Sequence, residues 1–432
     1  MTAFSPVGQP LRRQPRSEAS DRAQLEHVYV CTSYPSFSET FVATEALALE
    51  EHGESVWMYS LRPPPKALCP SLRYLCDPVT RLALVRWLIP GFGLILASWK
   101  SGLRFSPRSS MRLIYASAHA ARLNAALAKT RRSTDSSVTV IHAHFLGRPA
   151  DVAGLVPSED VVKLVTVHAG DALDARDPSL RSWRLRSFDH VICASHYTRD
   201  AIAADDVSAP ISVVRCGVVP PAAVVRRQYM PGEPIRFCTV ARLVQTKGLD
   251  YAAEVIRRLA ARGYTVRWDV VGDGPLARWL EGLRNKWRVG SPTLVLHGAV
   301  SHERALAIMQ DADLCILPSQ RRQSGLAHGD GIPVALIEAM AAGILVVSTP
   351  VCGIPELISD DRTGVLADRD NPDDCVERIE ELLREPARWE RMVAEARVQV
   401  ASNFSAQTCS ADLQAIVADC VLRRARRDSK GD

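Results

Sequence analysis

From residue 28 onward, short apolar runs rich in β-branched residues alternate with segments of helical periodicity, the pattern of parallel sheets with crossover helices. Strands are expected at 27–35, 54–60, 138–145, 161–168, 189–195 and 211–217. A helix is expected in "SETFVATEALALEEHG", with Ser36 and Glu39 at capping-box spacing and Gly53 as its stop. The run 218–234 contains four prolines and lacks periodicity, so it reads as a linker. A second alternation follows, with strands at 235–243, 264–272, 293–299, 312–319 and 343–349, and a mainly helical stretch from Asn371 to about residue 425. No short-period repeat is visible, so the doubling is that of two Rossmann-like halves. The expected organisation is a leader at 1–26, an N-terminal Rossmann-like domain at 27–217, the linker, a second such domain at 235–405, and a C-terminal helix with a basic tail at 406–432.

Composition narrows this only modestly. A chain of 432 residues has room for two cores, and 47% hydrophobic with 23% charged residues is a globular balance. Of the net charge of +5, the terminal run accounts for +3: Arg423, Arg424, Arg426, Arg427 and Lys430 against Asp428 and Asp432. That run is either a solvated, frayed tail or a contact with anionic lipid. Without interleaved aromatic residues it does not suggest nucleic acid. Eleven cysteines form no C-x-x-C pair, and many lie in apolar strand-like runs, as buried hydrophobes do in a reducing compartment. The leader has no apolar segment of the signal-peptide kind, so a cytoplasmic protein is expected. The apolar run 87–99 is shorter than the ~20 residues of a spanning helix and is interrupted by Pro90, Gly91 and Gly93. It is either a packed helical hairpin or a segment dipping Trp87 and Trp99 into a membrane interface, which would make the protein peripheral at the inner face of the plasma membrane.

In open α/β sheets ligands bind beyond the carboxyl ends of the strands, so polar residues after strand-like runs carry the candidate chemistry. "VVGDGPLA" matches a loose G-x-G-x-x-A, but the next strand ends in His297 and Gly298 with no carboxylate for a ribose, which argues against NAD. In "TVARLVQTKGLD", Arg242, Lys247 and a helix start at Gly248 could hold a diphosphate, or be solvated loop charges. In "HGDGIPVALIEAMAAG", Pro333 and the helix formers after it place a helix start near 333 and an end near Gly343. Asp330 then precedes the helix and Glu338 lies inside it, an arrangement that suits a sugar nucleotide or, equally, an N-cap with a surface glutamate.

Taken together, "ARLVQTKGLD", "VVGDGPL", "GAVSHERALAIMQDADLCILPS" and "DGIPVALIEAMAAGILVVSTPVCGIPEL" resemble the retaining family-4 glycosyltransferases of the GT-B fold. "YPSFSETFVATEALALEEHG", "HAHF" and "TVHAGDAL" narrow the likeness to members that assemble colanic acid and other exopolysaccharides. The resemblance implies two Rossmann-like domains facing a central cleft, with the acceptor side in the first and the nucleotide sugar in the second. It implies that Arg242 and Lys247 hold the diphosphate of a UDP- or GDP-sugar, that Asp330 meets the sugar hydroxyls, and that Glu338 meets the ribose. The N–H groups of Gly331 and Ile332 would face the sugar, and His168 corresponds to the family's cleft histidine. Ser38 and Glu39 fall where acceptor contacts are made; His142 and His144 take either a structural role or an acceptor contact. The acceptor class is a glycan or lipid-linked oligosaccharide. No metal and no cofactor is implied, since two cations and a helix N-terminus can stabilise a departing diphosphate. One departure is the shorter Asp330 where the family carries glutamate. Two other classes stay open: a non-catalytic nucleotide-binding subunit, and an epimerase or phosphorylase on a similar fold.

Overall fold

The computed structural model describes residues 25–34, 39–62, 72–75, 107–131, 138–157, 161–172, 178–221, 229–287, 292–320 and 331–429. Residues 1–24 of the leader, the apolar run 87–99, residues 222–228 of the expected linker, Ser38 and Asp330 lie outside them. The chain divides into two compact units, residues 1–215 with 409–432, and residues 216–408.

Each unit is built on a six-stranded parallel sheet. In the first, β1 (Leu25–Ser33), β2 (Ser55–Arg62), β3 (Val138–His144), β4 (Val161–Val167), β5 (His190–Cys193) and β6 (Ile211–Val213) lie in the order β2-β1-β3-β4-β5-β6. In the second, β7 (Ile235–Val240), β8 (Val266–Val271), β9 (Thr293–Gly298), β10 (Leu314–Ile316), β11 (Leu345–Ser348) and β12 (Val365–Leu366) lie in the order β12-β11-β10-β7-β8-β9. Eleven of these strands fall in the apolar runs expected from sequence; β12, two residues long, carries too little pattern to announce itself.

Helices cover both faces of such sheets, which is why the strands read as near-continuous apolar runs. In the second unit Phe237, Leu314 and Val347 pack on one face with Trp268, while Cys238, Cys315 and Val346 pack on the other, all at most 1% exposed. Cys238 and Cys315 are register partners on neighbouring strands and behave as small hydrophobes. The helix Leu249–Ala261 shows the matching helical rule. Ala252, Val255, Ile256 and Leu259 form one apolar stripe, each 0% exposed. Truncating Leu259 to alanine there costs about 2–5 kcal/mol.

Three local expectations change. Glu39 is not the third helical residue of a capping box; it is the N-cap of the helix Thr40–Glu51, with φ −126° and its carbonyl accepting the Val42 N–H. Pro333 is likewise the N-cap of the helix Val334–Ala341, since its ψ of 122° is extended. The basic C-terminal run is helical to Asp428 instead of frayed. Arg424 donates to the Val161 carbonyl at 2.6 Å, and Arg423 lies 3.2 Å from His190 Nδ1, so two of its cations belong to the first unit's packing. Among the described residues no helix is long and apolar enough to cross a membrane.

Candidate functional site

Both sheets have a point where the strand order reverses: between β1 and β3, and between β7 and β10. Ligands of open α/β sheets sit at the carboxyl ends beside such points. The candidate residues gather at these two places.

Beyond β7 the chain is held by backbone against backbone. Ala241 N donates to Val271 O at 3.0 Å and Leu243 N donates to Asp273 O at 2.9 Å, which pins the segment on either side of the exposed Arg242. Gly272 makes this possible: with φ +135°, a Cβ there would stand 1.8 Å from the Ala241 carbonyl oxygen. The glycines of "VVGDGPLA" therefore serve close packing against the Arg242 loop. Lys247 ends a 3-10 turn, Gln245–Lys247, and Gly248 follows in the left-handed region. A Cβ on Gly248 would stand 1.9 Å from Pro318 O, so the loop after β7 lies directly on the loop after β10. Gln320 N donates to Thr246 O at 2.8 Å and closes the same contact.

Glu338 lies in the helix that follows β10, and its Oε1 is 2.7 Å from His302 Nε2. His302 opens the helix His302–Gln310, behind the N-cap Ser301, whose side chain accepts from Arg304 N. The Glu338 hydrogen bond raises the His302 pKa above its ordinary value although burial opposes it. A carboxylate held at one oxygen by an imidazole keeps its other lone pairs for hydroxyl donors. Gly331 is fixed by Gly353, whose N–H donates to its carbonyl at 3.1 Å.

The first unit holds a buried polar cluster at its own reversal point. His142 and His144 alternate with Ala143 on β3, so both project from one face, and Tyr29 of β1 is the register partner of His142. Glu45, on the helix Thr40–Glu51, brings Oε1 within 2.7 Å of the Tyr29 hydroxyl, which donates to it, and within 3.2 Å of His144 Nε2 and 3.3 Å of His142 Nδ1. Burial pushes the Glu45 carboxyl upward, but His144, His142 and the Tyr29 hydroxyl outweigh it and hold the pKa at about 2. Burial, then the neighbouring His144, lowers both His142 and His168 to about 3. His168 Nε2 lies 3.4 Å from His144 Nδ1, with the rings of Phe41 and Phe145 at 5.0 and 4.4 Å.

The structure thus brings His144 and His168 together, sets Arg242 and Lys247 on one braced loop, and gives Glu338 a partner. Glu39 stands at the N-terminus of the helix that carries Glu45. Among the described residues, Glu45, His142 and His144 are a set whose ligand atoms, all within 4.8 Å of one another, could share a cation. Sequence reasoning missed Glu45 and His302. Two histidines alternating on one strand face show that a partner is needed without naming Glu45; His302, at the start of an ordinary amphipathic helix, carried no signal of its own.

Residues 38–220 match the family described as Glycosyltransferase Family 4, and residues 225–399 match that described as Glycosyl transferases group 1. WcaL of Salmonella typhimurium, named for colanic acid biosynthesis, is 36% identical over 208 residues, 48% of this chain and 50% of that protein. The amylovoran biosynthesis glycosyltransferase AmsK of Erwinia amylovora is 32% identical over 195 residues, 45% of this chain and 47% of that protein. The chain spans about half the length of the curated relatives it matches. The crystal structure of Anabaena Alr3699/HepE in complex with UDP-glucose has a TM-score of 0.62 at 12% identity, covering 92% of this chain and all of that one, which is a likeness of fold. With two Rossmann-like units and matches on both, the chain belongs to the family-4 glycosyltransferases of the GT-B fold.

Proposed function

We propose that this chain is a retaining, metal-independent glycosyltransferase that moves a sugar from a nucleotide-diphosphate donor to a glycan or lipid-linked acceptor in exopolysaccharide assembly. The observation that carries the reading is the second unit's reversal point. There, a braced loop with Arg242 and Lys247 lies on the loop after β10, and Glu338 sits in the next helix already fastened by His302. The names of the relatives support the polysaccharide context, and the UDP-glucose in HepE supports the donor class.

In this reading charge dominates the barrier. Positive charge grows at the anomeric carbon while negative charge grows on the departing diphosphate, and Arg242 and Lys247 stabilise the latter. Glu338 accepts from the ribose hydroxyls and Asp330 from the sugar, and His168 is assigned a catalytic role. Ser38 and Glu39 are assigned to the acceptor side.

A panel of nucleotide sugars, scored by nucleotide release with and without a polysaccharide-repeat acceptor, tests this. The expected result is acceptor-dependent release from one donor, unchanged by EDTA, with the anomeric configuration of the product retained by NMR. Asp330→Ala should lower that rate while leaving nucleoside diphosphate affinity intact, and Asp330→Glu should remain active. Release that ignores acceptor, or an inverted product, refutes the reading.

A further inference from the structure

The buried polar cluster of the first unit has the composition and spacing of a metal site. His142 and His144 stand two residues apart on β3 and so share a face of the sheet, and Glu45 reaches the same point from the helix Thr40–Glu51. Glu45 Oε1 is 3.3 Å from His142 Nδ1 and 3.2 Å from His144 Nε2, and the three ligand atoms all lie within 4.8 Å of one another. Two ligands bound to one zinc ion at about 2.05 Å and at the tetrahedral angle stand about 3.3 Å apart. Both separations to the carboxylate match that edge.

We propose that Glu45 Oε1, His142 Nδ1 and His144 Nε2 bind one Zn2+, with water as the fourth ligand, and that the ion fastens the helix Thr40–Glu51 to β3. The inference goes beyond the transferase reading and does not rest on it. Two imidazoles and a carboxylate suit zinc, whereas Ca2+ and Mg2+ call for sites made of oxygen.

Two observations inside the cluster point to an ion. The His142 side chain is 1% exposed and its Nδ1 makes no hydrogen bond, although the Glu45 carboxylate stands 3.3 Å away. Buried polar atoms are nearly always paired in folded proteins, and a metal supplies the missing partner. The second observation is charge. The Glu45 side chain is 11% exposed and faces the Tyr29 hydroxyl and the two imidazoles, and among the described residues no lysine or arginine pairs with it. A buried carboxylate calls for a cation.

Metal-bound imidazoles pass their other N–H to an outer acceptor, which fixes the ring, and ligating carboxylates are hydrogen-bonded in turn. All three ligands have such a neighbour. His142 Nε2 lies 2.7 Å from Thr166 Oγ1, and His144 Nδ1 lies 3.4 Å from His168 Nε2. The Tyr29 hydroxyl donates to Glu45 Oε1 at 2.7 Å and leaves that oxygen a second lone pair for the ion. The ion assigned here is structural: it joins a helix to a strand, and ligands at most 11% exposed shield it from a chelator during a turnover assay.

The test is metal analysis of the untagged full chain, produced with zinc in the medium and freed of loose metal by gel filtration. The parent should carry about one zinc per chain, and His52→Gln, at the end of the same helix, should carry as much. Glu45→Gln and His144→Gln should each retain less than about a tenth of it while keeping the far-UV circular dichroism of the parent. Parent depleted by prolonged dialysis against EDTA should melt about 5–10 °C higher once zinc is restored at about 100 times its Kd. Chain produced with cobalt in place of zinc needs no variant and decides the matter should the variants not fold. It should show the visible band of tetrahedral Co2+ without the thiolate charge-transfer band that cysteine ligands would give. A parent without zinc, another metal in its place, zinc retained by both folded variants, or a thiolate band overturns the inference. Metal content reads the same whether or not the chain turns over a nucleotide sugar, so failure here and failure of the proposed function are distinguishable.

Discussion

Replacing Gly248 with alanine tests the braced loop directly. The residue has φ +64°, and the added Cβ would lie 1.9 Å from Pro318 O and 2.9 Å from Pro318 C. The left-handed backbone alone costs an alanine about 1–2 kcal/mol. Relieving the overlap means moving a peptide by roughly an ångström against the Gln320 N to Thr246 O bond, at about 1–3 kcal/mol for forced overpacking. The sum is about 2–5 kcal/mol, which for a unit of this size lowers the melting temperature by about 10 °C. Gly282 is the internal control. It lies in the helix Ala277–Lys286 with nothing within 4 Å of its would-be Cβ. Gly282→Ala should therefore stabilise by about 0.5–1 kcal/mol. Thermal and urea unfolding of both variants, with calorimetric titration of nucleoside diphosphate, provides the assay. Gly248→Ala should also weaken nucleotide binding, because its relief displaces Lys247. If the two alanine variants melt within 1 °C of each other, the close approach of the loops is wrong.

Arg242→Ala and Lys247→Ala should each lower transfer by at least about 10-fold, the loss of one charge-assisted contact; initial rates at saturating acceptor check this. Glu338→Ala should raise the Kd of donor and free nucleoside diphosphate together, and His302→Ala should do so by a smaller factor, since it loosens the carboxylate without removing it. Because the pKa of His302 is raised above 6.5 in the folded chain, the pair's contribution is complete below that pH. It fades as pH climbs through the raised value, so the penalty of His302→Ala in nucleotide titrations should shrink at high pH. The first unit should be acid-labile. His27 and His142 are fully buried with pKa values lowered by burial to about 4 and about 3, so the unfolded chain takes up protons first. Stability is complete above about 6.5 and falls as pH drops toward those values, by up to about 1.4 kcal/mol per pH unit for each site. Urea unfolding of the intact chain at pH 7.5, 6 and 5 measures it, and a pH-independent midpoint would be the contrary result.

The strands were legible because parallel sheets covered on both faces write themselves as unbroken apolar runs, and Cys238 and Cys315 simply extend that pattern. The reversal points were not legible, since strand order is a property of pairing between distant segments and leaves no local trace. Arg242, Lys247 and Glu338 could be found from motifs that follow strands. Their meaning needed tertiary neighbours: the sequence argued against a dinucleotide turn at "VVGDGPLA" but could not say what its glycines do, which Gly272 against Ala241 shows. His302 and Glu45 were invisible for the same reason, each lying on an ordinary helix and gaining its role only from a partner 36 or 99 positions away.

The two units place polar groups at their reversal points by different physical means, and this sets how each responds to substitution. In the second unit, position comes from backbone contacts at Gly248 and Gly272, while the Arg242 side chain is exposed. Removing the Arg242 guanidinium leaves the scaffold untouched, so Arg242→Ala should melt within about 0.5 kcal/mol of the parent while losing activity. In the first unit the polar side chains are the scaffold. Deleting the Glu45 carboxylate would strip Tyr29 and His144 of a shared acceptor in a buried setting, at about 1–3 kcal/mol for each group left unpaired, and would remove the charge that lies 3.3 Å from His142 Nδ1. Rates alone cannot report function there, because a truncated side chain destabilises as well as disables.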